Sequence, residues 1–153
     1  MLTAAPTPSA TVPRRGLRAT QMSDHREISV LFDEVVAAFR RGDRDEAAET
    51  FTRFEKRLER HLDFEDEALL PVMGRVLPDE ARTLAADHRR IRAKLAELGV
   101  GVDLHLTRAT WVAEFVEMLR AHAAREDEIL YQWAEDPAVE LDHTAILRRL
   151  TAI

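Results

Sequence analysis

The stretch from Val112 to Trp133 constrains this 153-residue chain more than any other. Apolar side chains recur at Val112, Phe115, Leu119, Ile129 and Trp133 in alternating three- and four-residue steps, the pattern of one face of a long helix. The beats missing between Leu119 and Ile129 fall on His122 and Glu126. An imidazole and a carboxylate one turn apart therefore project from the face that has to be buried. Burying an ionised Glu costs several kcal/mol unless a partner replaces the lost water. A metal ion is the partner that this pair of donors suits.

The same interruption recurs along the chain. A first helix is expected from near Met22, capped by Ser23 or Asp24, with His25, Ile28, Phe32, Val35 and Phe39 on one stripe and Arg40-Arg41-Gly42-Asp43 closing it. A second runs from near Asp43 to about Gly74 with Phe51, Phe54, Leu58, Leu69 and Val72 in rhythm, and His61 and Glu65 fill its gap. Pro71 is expected to kink or end it. Leu77-Pro78-Asp79-Glu80 announces a third, whose stripe includes Leu84, His88, Ile91 and Leu95 and which Gly99 is expected to end. A loop then leads to Thr107 as the candidate cap of the fourth, and Asp136-Pro137 terminates that helix. A short tail helix follows over about Ala138 to Leu150.

The fold class that results is all-α: an up-down antiparallel four-helix bundle over residues 22–136, preceded by a disordered arm over 1–21 and followed by a C-terminal helix packed on the bundle over 137–153. The chain is long enough for one core. Its start, rich in Pro and polar residues, does not read as a signal-peptide core, and no apolar run approaches the roughly 20 residues that span a bilayer, so a cytoplasmic location without membrane contact is expected. A net charge of −6 with scattered arginines gives no footprint for nucleic acid. The absence of cysteine excludes disulfides, thiolate zinc sites and thiolate-held iron–sulfur clusters, so any metal must be held by His and carboxylate.

At a rise of about 1.5 Å per residue, His25 lies about 25 Å before the first turn and His61 roughly 28 Å after it. Glu65 and His88 lie at about 14 and 15 Å from the second connection, and His88 and His122 at about 16 and 22 Å from the third. Four His, one per helix, and two Glu thus share a height. A lone core His is more often a hydrogen-bonded core residue than a ligand, and a helical interaction module with a metal-free His–Glu network is the bland alternative. The conjunction of all six favours a metal site.

The segments HLDFEDEALLP and HAAREDEILY, with His25 and His88 heading the intervening helices, resemble the hemerythrin-like cation-binding (HHE) domain family over about residues 22 to 134. That resemblance implies a four-helix bundle holding two iron ions in a non-haem, oxo- or hydroxo-bridged di-iron centre. His25, His61, His88 and His122 would be terminal ligands, and Glu65 and Glu126 the bridging carboxylates. Asp66 and Asp127 compete for the bridging roles but sit roughly 100° away from the stripe. A ferritin-like site would place Glu three residues before His, a spacing found at none of the four core-facing His and only at Glu140 and His143 in the tail.

Oxygen-carrying members of the resembled family have a fifth His one turn after the third-helix ligand; here that position is Arg92. His105 and His143 lie outside the matched heights and read as surface residues, and Tyr131 reads as a boundary residue with a wet hydroxyl. Ile28, Leu58, Leu84, Ile91, Leu119 and Ile129 would form a dry surrounding layer. The resemblance implies binding or sensing of a diatomic ligand, oxygen or nitric oxide. Iron donation, repair of damaged iron centres and peroxide reduction are its alternatives.

Overall fold

The computed structural model describes residues 15–151. It contains α1 (Arg15–Arg41), α2 (Arg44–Phe64), α3 (Leu70–Met73), α4 (Pro78–Asp103), α5 (Ala109–Arg125), α6 (Tyr131–Glu135) and α7 (His143–Thr151). One π-helical turn, Glu65–Leu69, joins α2 to α3, and another, Glu126–Leu130, joins α5 to α6. Each pair makes one continuous rod, so the bundle has four rods, and no strand occurs among the described residues. Successive rods reverse direction across short connections, with α1 packed on α2 and α6, and α4 on α2 and α5.

The first helix begins at Arg15, not near Met22, so the arm expected over 1–21 is cut back; residues 1–14 of it lie outside the described residues. Leu17 and Gln21 extend the buried stripe of His25 towards the N-terminus by two turns, and both are buried. Ser23 and Asp24 are therefore interior helix residues and not caps. Asp43 does cap α2, accepting from the Glu46 N–H at 3.0 Å, while Gly42 turns the chain at φ 74°.

Helix α4 passes through Gly99 and Gly101 to Asp103, beyond its expected end. At Gly99 a side chain would meet the Phe51 ring at 3.3 Å, so the glycine serves close approach and not termination. His105 turns out of the helix with φ 56°, and α5 starts after Arg108, leaving Thr107 without a capping role. The tail helix is shorter than expected, and its Ile146 packs with Leu17 and Trp133 at one end of the bundle.

The π-turns shift the expected rhythm by one residue. The last carbonyls of an α-helix would accept from four residues on; here the Glu65 and Glu126 carbonyls accept from Leu70 and Tyr131, five residues on. Leu130 and Tyr131 are fully buried in consequence and Ile129 only partly; likewise Met73 replaces Val72 in the core. Two apolar clusters result. One contains Leu17, Leu69, Leu84, Leu130 and Trp133, the other Ile28, Phe32, Phe54, Ile91 and Phe115. The six polar positions interrupt the rods between them.

Candidate metal centre

All six singled-out side chains converge in that layer. His61, His88, His122, Glu65 and Glu126 are at most 5% exposed, and His25 is the exception at 20% of its side chain. His25 Nε2 lies 3.0 Å from His61 Nε2 and 3.0 Å from Glu126 Oε2. His122 Nε2 lies 2.5 Å from Glu126 Oε1, and His88 Nε2 lies 3.5 Å from the same oxygen. Glu65 Oε1 is 3.7 Å from His61 Nε2, and Glu65 Oε2 is 3.4 Å from His88 Nε2. Each carboxylate therefore offers one oxygen to the His25/His61 side and the other to the His88/His122 side.

Donor atoms that share an ion at roughly 2 Å stand about 3–4 Å apart, the spacing seen here. Glu65 Oε2, both oxygens of Glu126, His88 Nε2 and both nitrogens of His122 are buried and, close as some of them stand to one another, none makes an aligned hydrogen bond. Orphaned buried polar atoms are costly, and six of them in one cage fit a cation that would satisfy most of them together. Two overlapping donor groups emerge: Glu65, His88, His122 and Glu126, and His25, His61 and Glu126. The residues present fit a pair of divalent or trivalent ions with nitrogen and oxygen ligands.

Carboxylates behind the ring orient two of the imidazoles. Asp24 accepts from His61 Nδ1 at 2.9 Å, and Asp66 from His88 Nδ1 at 2.6 Å, leaving each Nε2 to face the cage. Arg57 grips Asp24, and Arg92 donates to Asp66 at 2.8 Å while also holding Glu59 and Asp63. The rotation that takes Asp66 off the stripe aims it at His88 on the neighbouring rod. Asp127, its counterpart, turns outward to Arg18 at 2.8 Å. Arg92, at the place of the carriers' fifth His, points to these carboxylates and not into the cage.

Without metal the cage stores protons. Burial disfavours the charge on His61 and His88, but the surrounding carboxylates outweigh it, pushing His61 up to about 10 and His88 up to about 11. Burial and the charge of Glu126 raise Glu65, whereas four imidazoles hold Glu126 well below the ordinary carboxylate range against its own burial. Burial also opposes ionisation of Asp24 and Asp66, yet their His and Arg partners lower both.

Tyr131 corrects the expectation of a wet boundary hydroxyl: it is fully buried and donates to Glu65 Oε1 at 2.5 Å. Spacing alone misses it because the π-turn is what rotates position 131 inward. Asp24 was readable only as a cap, since its role depends on a neighbouring helix. His105 is exposed in the α4–α5 connection, and the side chain of His143 lies outside the described residues.

Neither the curated proteins nor the solved structures gave a match to this chain. A protein-family model, the hemerythrin HHE cation binding domain, matches residues 17–134, with a second, overlapping match over 79–152. The first match spans most of the chain and all six cage residues, and the chain belongs to the hemerythrin HHE cation-binding domain family.

Proposed function

We propose that this cation-binding helical protein holds two iron ions between His25, His61, His88, His122, Glu65 and Glu126 and uses them to bind or sense an uncharged diatomic molecule, oxygen or nitric oxide. The observation that carries the reading is the shared cage, in which both carboxylates present one oxygen to each pair of imidazoles and find no other partner for most of their donor capacity. Iron bound there would supply a reversible one-electron couple and open coordination positions. The chain supplies the rest. Asp24 and Asp66 fix which imidazole nitrogen faces inward, and apolar clusters above and below the layer exclude water.

A cleft of about 240 Å³ between α1 and α5 supports the choice of an uncharged ligand. Ile28, Phe32, Leu58, Val116 and Leu119 give it apolar walls, the exposed Asp33 and Arg120 also line it, and it reaches His25, His61 and His122. Such a cavity favours a small apolar molecule over a hydrated ion. No helix among the described residues is long and apolar enough to cross a membrane.

Metal analysis with an absorption spectrum of the aerobically purified protein tests the reading. About two irons per chain are expected, with an absorption that bleaches on anaerobic reduction and returns with oxygen. A colourless protein that takes up no iron on reconstitution would return the cage to a hydrogen-bonded network and remove the proposal. Chelation of the loaded protein should lower its melting temperature, because the ions offset the mutual repulsion of the donors.

A further inference from the structure

The two bulged rods repeat the same run, His-x-x-x-Glu-Asp-Glu-x-Leu, and then diverge at the next residue: Leu70 in one and Tyr131 in the other. Both positions follow a π-turn, and both are buried beside the cage layer. Only one of them carries a hydroxyl. That hydroxyl donates to Glu65 Oε1 at 2.5 Å and stands 3.5 Å from His25 Nε2.

We infer that Tyr131 is a positioning residue of the centre, whose hydrogen bond to Glu65 makes the two metal positions chemically unequal. The inference rests on the two-iron reading above. Glu65 Oε1 is the oxygen on the His61 side, 3.7 Å from that imidazole. An oxygen that already accepts a short phenolic hydrogen bond has less electron density to give a cation. Glu65 Oε2, on the His88 side, makes no aligned hydrogen bond and faces only an imidazole nitrogen of the cage itself, His88 Nε2 at 3.4 Å, so it keeps more of its donor strength. Glu126 shows no such bias, since imidazoles flank both its oxygens. The side held by His25 and His61 is thus the more weakly bridged of the two.

The hydroxyl also fixes the bridge in place. Glu65 sits at the start of a π-turn, and Tyr131 ties it to the opposite rod across the bundle axis. Replacement by Phe keeps the ring that fills the apolar cluster and deletes only the donor.

Mössbauer spectra and a redox titration of the iron-loaded wild-type and Tyr131→Phe proteins test this. Both proteins should bind the same amount of iron. The wild type should show two distinct quadrupole doublets, which converge in Tyr131→Phe, and the variant's midpoint potential should fall, because the released oxygen now stabilises the ferric state on the His25/His61 side. A single doublet in the wild type would overturn the inference, as would unchanged doublets and potential in the variant. Loss of the iron pair in Tyr131→Phe would overturn it too, since the hydroxyl would then be needed for binding and not for bias. A wild type that takes up no iron fails at the stoichiometry, before any spectrum, and overturns the two-iron reading with it.

Discussion

The rod running through His61 and Glu65 and the rod running through His122 and Glu126 carry nearly the same motif, bulge at the same place and deliver the same donor pair, yet their surroundings differ. Glu126 lies within 3.7 Å of all four imidazoles, whereas Glu65 approaches only His61 and His88 that closely and shares one oxygen with Tyr131. Asp66 reaches across to His88, while its counterpart Asp127 leaves the cage for Arg18. A motif repeated in sequence thus fixes which atoms face the layer and leaves open what stands behind them. The neighbours decide that.

The largest expected effect follows from the imbalance between the two carboxylates. Glu126→Ala removes the counter-charge common to every imidazole and should abolish iron binding, besides costing the metal-free fold about 3–5 kcal/mol, the range for stripping one partner from a buried charge network. Glu65→Ala should destroy the paired centre but leave one ion bound by His25, His61 and Glu126, the donor group that does not include it. Iron stoichiometry and denaturant unfolding of the metal-free variants measure both. Equal losses in the two variants would remove the distinction between the rods.

Next in size are the carboxylates behind the ring. Asp66→Ala and Asp24→Ala should each weaken metal affinity about 10- to 100-fold, the usual cost of freeing a ligating imidazole from its orienting partner. Competition against a chromogenic chelator reads this directly. An unchanged affinity in both would mean that the cage orients its imidazoles without them.

The same two imidazoles set the alkaline behaviour of the metal-free protein. His61 and His88 have folded pKa values raised to about 10 and about 11, above their ordinary 6.5. A raised value means that the folded state holds the proton more tightly, so the stabilisation is complete below pH 6.5 and is lost as pH rises through about 10 to 11. Melting temperature of the chelated protein should therefore fall steadily over that window. The loaded protein should lack this slope, because the metal has replaced the protons. A metal-free protein with flat stability across the window would show that the imidazoles are neutral inside the cage.

The cage was legible because a helix repeats every 3.6 residues and tolerates a polar residue on its buried stripe only where something offsets it. His25, His61, His88 and His122 were each found as breaks in an apolar rhythm. The π-turns were not legible, since a rhythm of threes and fours absorbs a one-residue slip, and the slip is what buries Tyr131 and Leu130 in place of Ile129. Leu17 and Gln21 continued the first stripe all along, but the Pro- and Arg-rich run beside them masked the earlier start of α1. Asp24 and Arg92 act across helices, and no periodicity within one segment reports that.

The smallest effect expected is at Asp127, and it sharpens the comparison most cleanly because the residue follows Glu126 as Asp66 follows Glu65. Its pair with Arg18 is more than a third exposed on both sides, and an exposed ion pair contributes only about 0–1 kcal/mol. Asp127→Ala should leave iron stoichiometry and chelator competition unchanged and shift the unfolding midpoint barely or not at all. Should Asp127→Ala instead weaken metal binding as much as Asp66→Ala, Arg18 would be anchoring Glu126 through its neighbour. The two rods would then support their carboxylates alike, by different routes.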